Sequence, residues 1–80
     1  MTTAQKHSTT LAMASEGDRV RIVALRAGRQ SDRRLTDLGL NIGTRLRVVQ
    51  RHGGGLIVAR GNTRLALGGG MAMKIVVAHG

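Results

Sequence analysis

The sequence predicts a mainly β domain: a small curled barrel of about five strands, with one short helix between the first and second strands. Three observations predict it. Short runs of Val, Ile and Leu alternate with Arg at period two, as in Arg19-Val20-Arg21-Ile22 and Arg45-Leu46-Arg47-Val48. The 80 residues hold 12 Gly and no Pro, so the tight corners are made by glycine alone. Only one segment, Asp32 to Leu38, reads as helix, and at about two turns it must pack on the strands to persist.

The elements follow in chain order. Residues 1–10, MTTAQKHSTT, are polar and without periodicity, and are expected to form a flexible tail before a domain at 11–80. Ser15-Glu16-Gly17-Asp18 is a turn. Arg19 to Leu25 is the first strand, with Val20, Ile22 and Ala24 on one face. Ala27-Gly28-Arg29-Gln30 breaks it. Ser31 is the expected helix N-cap, and Asp32 sits well against the positive helix end. Leu35 and Leu38 share a helix face, and Gly39 fits the left-handed position after the helix.

Asn41-Ile42-Gly43-Thr44 is the next turn. Arg45 to Arg51 then reads as a half-buried antiparallel strand with Leu46 and Val48 inward. His52 to Gly55 connects to a third strand, Leu56 to Arg60. Gly61-Asn62 marks a hairpin to Thr63–Leu67. On that strand either Ala66 or the Leu65 and Leu67 pair faces out. Gly68-Gly69-Gly70 breaks the chain, Met71 to Met73 is a 3₁₀ turn or irregular link, and Lys74 to Ala78 closes the sheet. Curling removes the open edges of so short a sheet. The helix after the first strand and the link before the last favour an SH3-like over an OB-like barrel.

Composition excludes several functions. With no Cys there is no disulfide scaffold, thiolate zinc site or Cys nucleophile. With no Phe, Trp or Tyr there is no platform for stacking bases. Apolar runs such as Ile22 to Leu25 are far too short to span a membrane, and Leu11 to Ala14 is too short for a signal-peptide core, so a cytoplasmic location is expected. The Gly runs lack the Lys-Ser or Lys-Thr of a phosphate loop. Glu16, Asp18 and Asp32 have turn and helix-start roles, and Asp37 is placed to pair with Arg33 one turn back. No catalytic grouping stands out, so an enzyme is not expected. His7, His52 and His79 have no ligand spacing. His52 is the one weak metal candidate, and a weakly bound divalent transition metal is the only cofactor considered.

The net charge of +9 has two open readings. The outward Arg residues are either a solvated face or a footprint for an acidic partner such as a protein surface, an anionic membrane or nucleic acid. Nucleic acid is the weakest of these, because no aromatic ring stacks and no helix is long enough to enter a groove.

The run Arg33-Arg34-Leu35-Thr36-Asp37-Leu38-Gly39-Leu40-Asn41-Ile42-Gly43-Thr44, of pattern R-R-L-x-x-L-G-L-x-x-G, resembles the FeoA family of ferrous iron transport proteins. The likeness extends from Glu16–Ile22 through Leu46–Val49, Leu56–Val58 and the Arg60–Leu67 hairpin to Ile75–Val77, covering about residues 11 to 78. Two features depart from the family pattern: Ile42 stands where Pro is frequent, and Gly68-Gly69-Gly70 where charged residues are usual. The resemblance implies a small cytosolic SH3-like accessory protein of bacterial ferrous iron uptake. Its partner would be the membrane permease FeoB, whose cytosolic part contains a G-protein domain. The same domain type occurs at the C-terminus of metal-dependent repressors of the DtxR class. The candidate contact residues are Arg33, Arg34, Leu35, Leu38, Leu40, Arg45, Arg47 and Arg64. Self-association is a further expected contact, and a metal-sensing or nucleic-acid-binding small basic barrel is the alternative.

Overall fold

The computed structural model describes residues 8–80. Strands β1 (Ser8–Thr10), β2 (Arg19–Leu25), β3 (Arg45–His52), β4 (Gly55–Arg60), β5 (Thr63–Gly68) and β6 (Ile75–His79) form one antiparallel sheet, ordered β1-β6-β2-β3-β4-β5. A 3₁₀ turn, Leu11–Met13, follows β1. Helix α1 (Arg29–Asp37) links β2 to β3, and the single turn α2 (Gly69–Ala72) precedes β6.

The sheet has six strands where about five were expected. The additional strand is β1, drawn from the expected tail, whose Ser8, Thr9 and Thr10 pair with Ala78, Val77 and Val76. Two β-branched Thr residues suit a strand, and β1 covers an otherwise open edge of β6. Residues 1–7, His7 among them, lie outside the described residues.

The sheet curls around one apolar core. Val20 and Ile22 of β2, Val48 of β3, Val58 of β4, and Ile75 and Val77 of β6 are all buried, joined by Leu11 from the 3₁₀ turn and Ala72 from α2. On β5 the ambiguity resolves in favour of the leucines: Leu67 is buried and Leu65 packs on the core, while Ala66 faces out. The β2 alternation breaks at Val23, where the register with β6 shifts between Ile22 and Ala24. The bulge turns the strand, so Leu25 rather than the expected Ala24 packs on the core.

Helix α1 begins earlier than its expected cap. Gly28, at φ 92°, is the N-cap, and no side chain caps the helix there. Ser31 lies inside the helix, whereas Asp32 Oδ1 accepts from the Ala27 N–H at 3.0 Å and so ties the helix start as its charge suggests. The helix ends in a Schellman motif: the Leu40 N–H donates to Leu35 O at 2.8 Å and the Gly39 N–H to Thr36 O at 2.9 Å. Gly39 has φ 84°, as the motif requires.

The two glycine runs meet. Gly55 pairs with Gly68, and a Cβ on Gly55 would lie 2.5 Å from the Leu67 carbonyl oxygen. A Cβ on Gly69 would collide with the Gly54 carbonyl. The Gly68–Gly70 run is therefore a close backbone contact that also starts α2, rather than a simple chain break.

Candidate docking surface

The R-R-L-x-x-L-G-L-x-x-G segment builds a helix end and a braced loop. Thr44 Oγ1 accepts from the Asn41 N–H at 3.0 Å and donates to Gly39 O at 3.3 Å. The Gly43 N–H donates to Ile22 O at 2.7 Å, and the Ile22 N–H to Thr44 O at 2.9 Å. The loop is thus fixed to β2 and to itself. It holds two apolar side chains in solvent: Leu38 is 42% and Ile42 67% exposed. Arg33 and Arg34 are exposed on the helix just before them.

The eight expected contact residues do not form one surface. Leu35 and Leu40 are 1% and 0% exposed and belong to the core, which corrects their assignment to a partner surface. The Schellman geometry explains this, because it brings the residues at these two positions together on the buried side. Arg33, Arg34 and Leu38 stay exposed on α1. Arg45 and Arg47 of β3 and Arg64 of β5 are exposed on the outer face of the sheet.

That outer face has a defined register. Arg19 of β2 stands opposite Arg47, and Arg21 opposite Arg45. Arg47 is beside Ala59 of β4, which is itself opposite Arg64. Arg21 is beside Ala78 of β6. Two other strand arginines have structural tasks. Arg51 Nη1 donates to the carbonyls of Ala12 and Ala14, each at 2.6 Å, and pins the 3₁₀ turn to β3. Arg60 lies against Gly39.

The carboxylates are mostly held by backbone groups. Glu16 accepts from the Arg51 N–H at 2.8 Å, and Asp18 from the Ser15 N–H at 2.9 Å. The Ser15 N–H holds the Asp18 carboxyl below its ordinary range, and His79, with Nε2 at 3.2 Å from Asp18 Oδ2, adds to the effect. That is the one ion pair among the described residues, formed when His79 is protonated. The expected Asp37–Arg33 pair does not form. His52 is exposed at the end of β3, and among the described residues no three His, Asp or Glu side chains come together.

The sequence places Ile42 in a turn within the Arg33 to Gly43 segment without singling it out as exposed, and it does not show the facing of Arg19 and Arg21 with Arg47 and Arg45. The turn pattern around Gly43 offered a signal for the first. Register between distant strands leaves no mark in the sequence of either strand.

The FeoA domain family model matches residues 9–79. A protein of Methanocaldococcus jannaschii named "Putative Fe(2+) transport protein A" is 39% identical over 67 residues, which cover 84% of this chain and 82% of that protein. A crystal structure described as an iron uptake regulatory protein (FeoA) superposes with a TM-score of 0.80 at 26% identity, covering 90% of this chain and 96% of that one. The FeoA protein of Chlorobium tepidum gives a TM-score of 0.82 at 29% identity, covering 89% of this chain and 70% of that one. A manganese-dependent transcriptional repressor shares the fold, with a TM-score of 0.84 at 25% identity; the match covers 95% of this chain and 44% of the repressor. The architecture is the SH3-like fold of these proteins.

Proposed function

The chain belongs to the FeoA family, associated with ferrous iron transport, and from that premise we propose that it is a non-catalytic adaptor that docks on the cytosolic G-protein domain of a FeoB-type permease and shifts its conformational equilibrium. The protein then works in the cytoplasm and reaches the membrane through its partner. No helix among the described residues is long and apolar enough to cross a membrane.

The observation that carries this reading is the exposure of Leu38 at the helix end and of Ile42 in the braced loop, following the exposed Arg33 and Arg34 along the chain. A few apolar side chains on a rigid support supply most of a docking energy. Flanking arginines set orientation and encounter rate against an acidic surface. Titration of the protein into the permease's soluble G-protein domain at low salt is the test. A saturable complex supports the reading, and no association overturns it.

A second reading, a metal-sensing module, draws support from the likeness to the manganese-dependent repressor. Its chemistry is less favoured here, since His52 stands apart and His79 is engaged with Asp18. Calorimetry with manganous ion separates the two readings.

A further inference from the structure

The charge distribution on the outer sheet face is not that of an ordinary solvated surface. Arg19, Arg21, Arg45 and Arg47 form a two-by-two block, with like charges directly opposite each other on β2 and β3. Such facing pairs destabilise a sheet, and mixed signs would relieve them at no cost to solubility. Among the described residues no Asp or Glu side chain is within ion-pair distance of these four arginines, although Asp18 bonds to the neighbouring His79. Glu16 holds the Arg51 backbone, Asp18 holds Ser15 and His79, Asp32 holds Ala27, and Asp37 lies on α1.

The block is also concave. The neighbours in the same cross-strand rows are Ala59 beside Arg47 and Ala78 beside Arg21, both small and both buried. A depression of about 330 Å³ is lined by Arg19, Arg45 and Arg47 together with Ala59, Gly61 and Gly80. A second, of about 160 Å³, is lined by Arg21, Arg45, His79 and Gly80. The two share Arg45 and Gly80. The larger is at the small end of the range for ligand sites, roughly 300–1,000 Å³.

We infer that this Arg19, Arg21, Arg45 and Arg47 block is a binding site for a small anion carrying two or three linked phosphates. Guanidinium forks match phosphate oxygens two at a time. Side chains directly across the strands are roughly 5 Å apart at Cβ, and those two residues along a strand roughly 7 Å apart. Linked phosphates engage several such positions at once, and a lone dianion does not. A nucleic-acid strand is disfavoured, because the chain has no aromatic side chain to stack its bases. The inference does not depend on the permease, and its test uses this chain alone.

The test is calorimetric titration of the full chain with sodium tripolyphosphate at low ionic strength, with inorganic phosphate, phosphatidylserine vesicles and polyuridylate run in parallel. The expected result is one site per chain, with tripolyphosphate binding at least about tenfold more tightly than inorganic phosphate. Arg45→Gln, at an exposed position shared by both depressions, is expected to weaken binding about tenfold, and Arg21→Gln to weaken it similarly. Arg29→Gln removes the same charge at the start of α1 and is expected to leave binding unchanged. Circular dichroism establishes that each variant is folded. The inference is overturned if Arg29→Gln weakens binding as much as Arg45→Gln, which indicates net charge alone. Binding to vesicles or polyuridylate without binding to tripolyphosphate overturns it as well.

Discussion

The Arg60 guanidinium lies against the α-carbon of Gly39, and its Nη1 donates to the Gly39 carbonyl at 3.4 Å. Residue 39 is therefore held to glycine by two constraints of unequal weight. A methyl group there would meet the Arg60 guanidinium, but that is the free end of a flexible side chain and can swing aside. The backbone at φ 84° cannot adjust without dismantling the Schellman motif. Gly39→Ala is expected to cost roughly 1–2 kcal/mol, from the left-handed backbone alone. The same cost should appear in an Arg60→Ala background. Urea unfolding of the four proteins closes the cycle, and a coupling above about 1 kcal/mol would assign the cost to the arginine instead.

Gly69 and Gly70 are adjacent in α2 yet should respond oppositely to alanine. A Cβ at 69 collides with the Gly54 carbonyl, a backbone group that moves only with the β4 end. A Cβ at 70 meets nothing within 4 Å. Gly69→Ala is expected to destabilise by about 1–3 kcal/mol. Gly70→Ala should be neutral or stabilising by up to about 1 kcal/mol, since it lowers the entropy of the unfolded chain and favours helix. Thermal melts of both variants decide it, and equal losses would contradict the close contact between the two glycine runs.

The contrast shows where sequence reading reached and where it stopped. Alternation of Arg with Val, Ile and Leu located β2 and β3, because burial on one face imposes period two directly, and short apolar runs bounded by glycine or charge located β4, β5 and β6, all to within a residue or two. The Leu35, Leu38, Gly39 and Leu40 cluster was legible as a helix end. Which of its leucines stays at the surface was not, because the Schellman turn at Gly39 sends Leu40 back to the core and leaves Leu38 part-exposed. Strand β1 escaped notice because three residues carry no measurable period, and its stability comes from pairing with β6, far along the chain. The Arg block escaped for the same reason: each strand shows its own arginines, and only the register sets them opposite each other.

That register makes a prediction that holds with no ligand present. Replacing one member of a facing pair by a neutral residue removes a like-charge contact. Arg21→Gln is expected to raise stability by roughly 0.2–1 kcal/mol at low salt. The gain should shrink as added sodium chloride screens the exposed charges of the parent protein. Melting temperatures of parent and variant across a salt series read the effect, and a variant less stable at every salt concentration refutes it.

Asp18 is expected to set part of the acid limb of stability. Its carboxyl is depressed below its ordinary value of 3.8, first by the Ser15 N–H and then by His79. A carboxylate depressed in the folded state adds stability at pH values above its unfolded pKa. That contribution is lost as pH falls from about 4 through the folded value. Asp18→Asn is therefore expected to melt lower than the parent at neutral pH, and the difference should close in acid. A gap that stays constant from neutral to strongly acidic pH would mean that the carboxylate's charge is not what stabilises this turn.

Leu38 and Ile42 should separate docking from folding. Both are exposed, so Leu38→Ser and Ile42→Ser are expected to change stability by less than about 0.5 kcal/mol. Leu35→Ala and Leu40→Ala empty the core beneath the same loop and should cost about 2–5 kcal/mol each. If the loop presents Leu38 and Ile42 to the permease's G-protein domain, each serine variant should weaken that complex about tenfold while remaining fully folded. Iron uptake by cells carrying the serine variants should fall in step with affinity and not with melting temperature. Unaltered affinity in the Leu38 and Ile42 double variant would move the docking surface away from the loop. The remaining exposed cations of the Arg33 and Arg34 helix face would then be the next residues to replace, because charge without an apolar anchor gives a complex whose affinity falls steeply with salt.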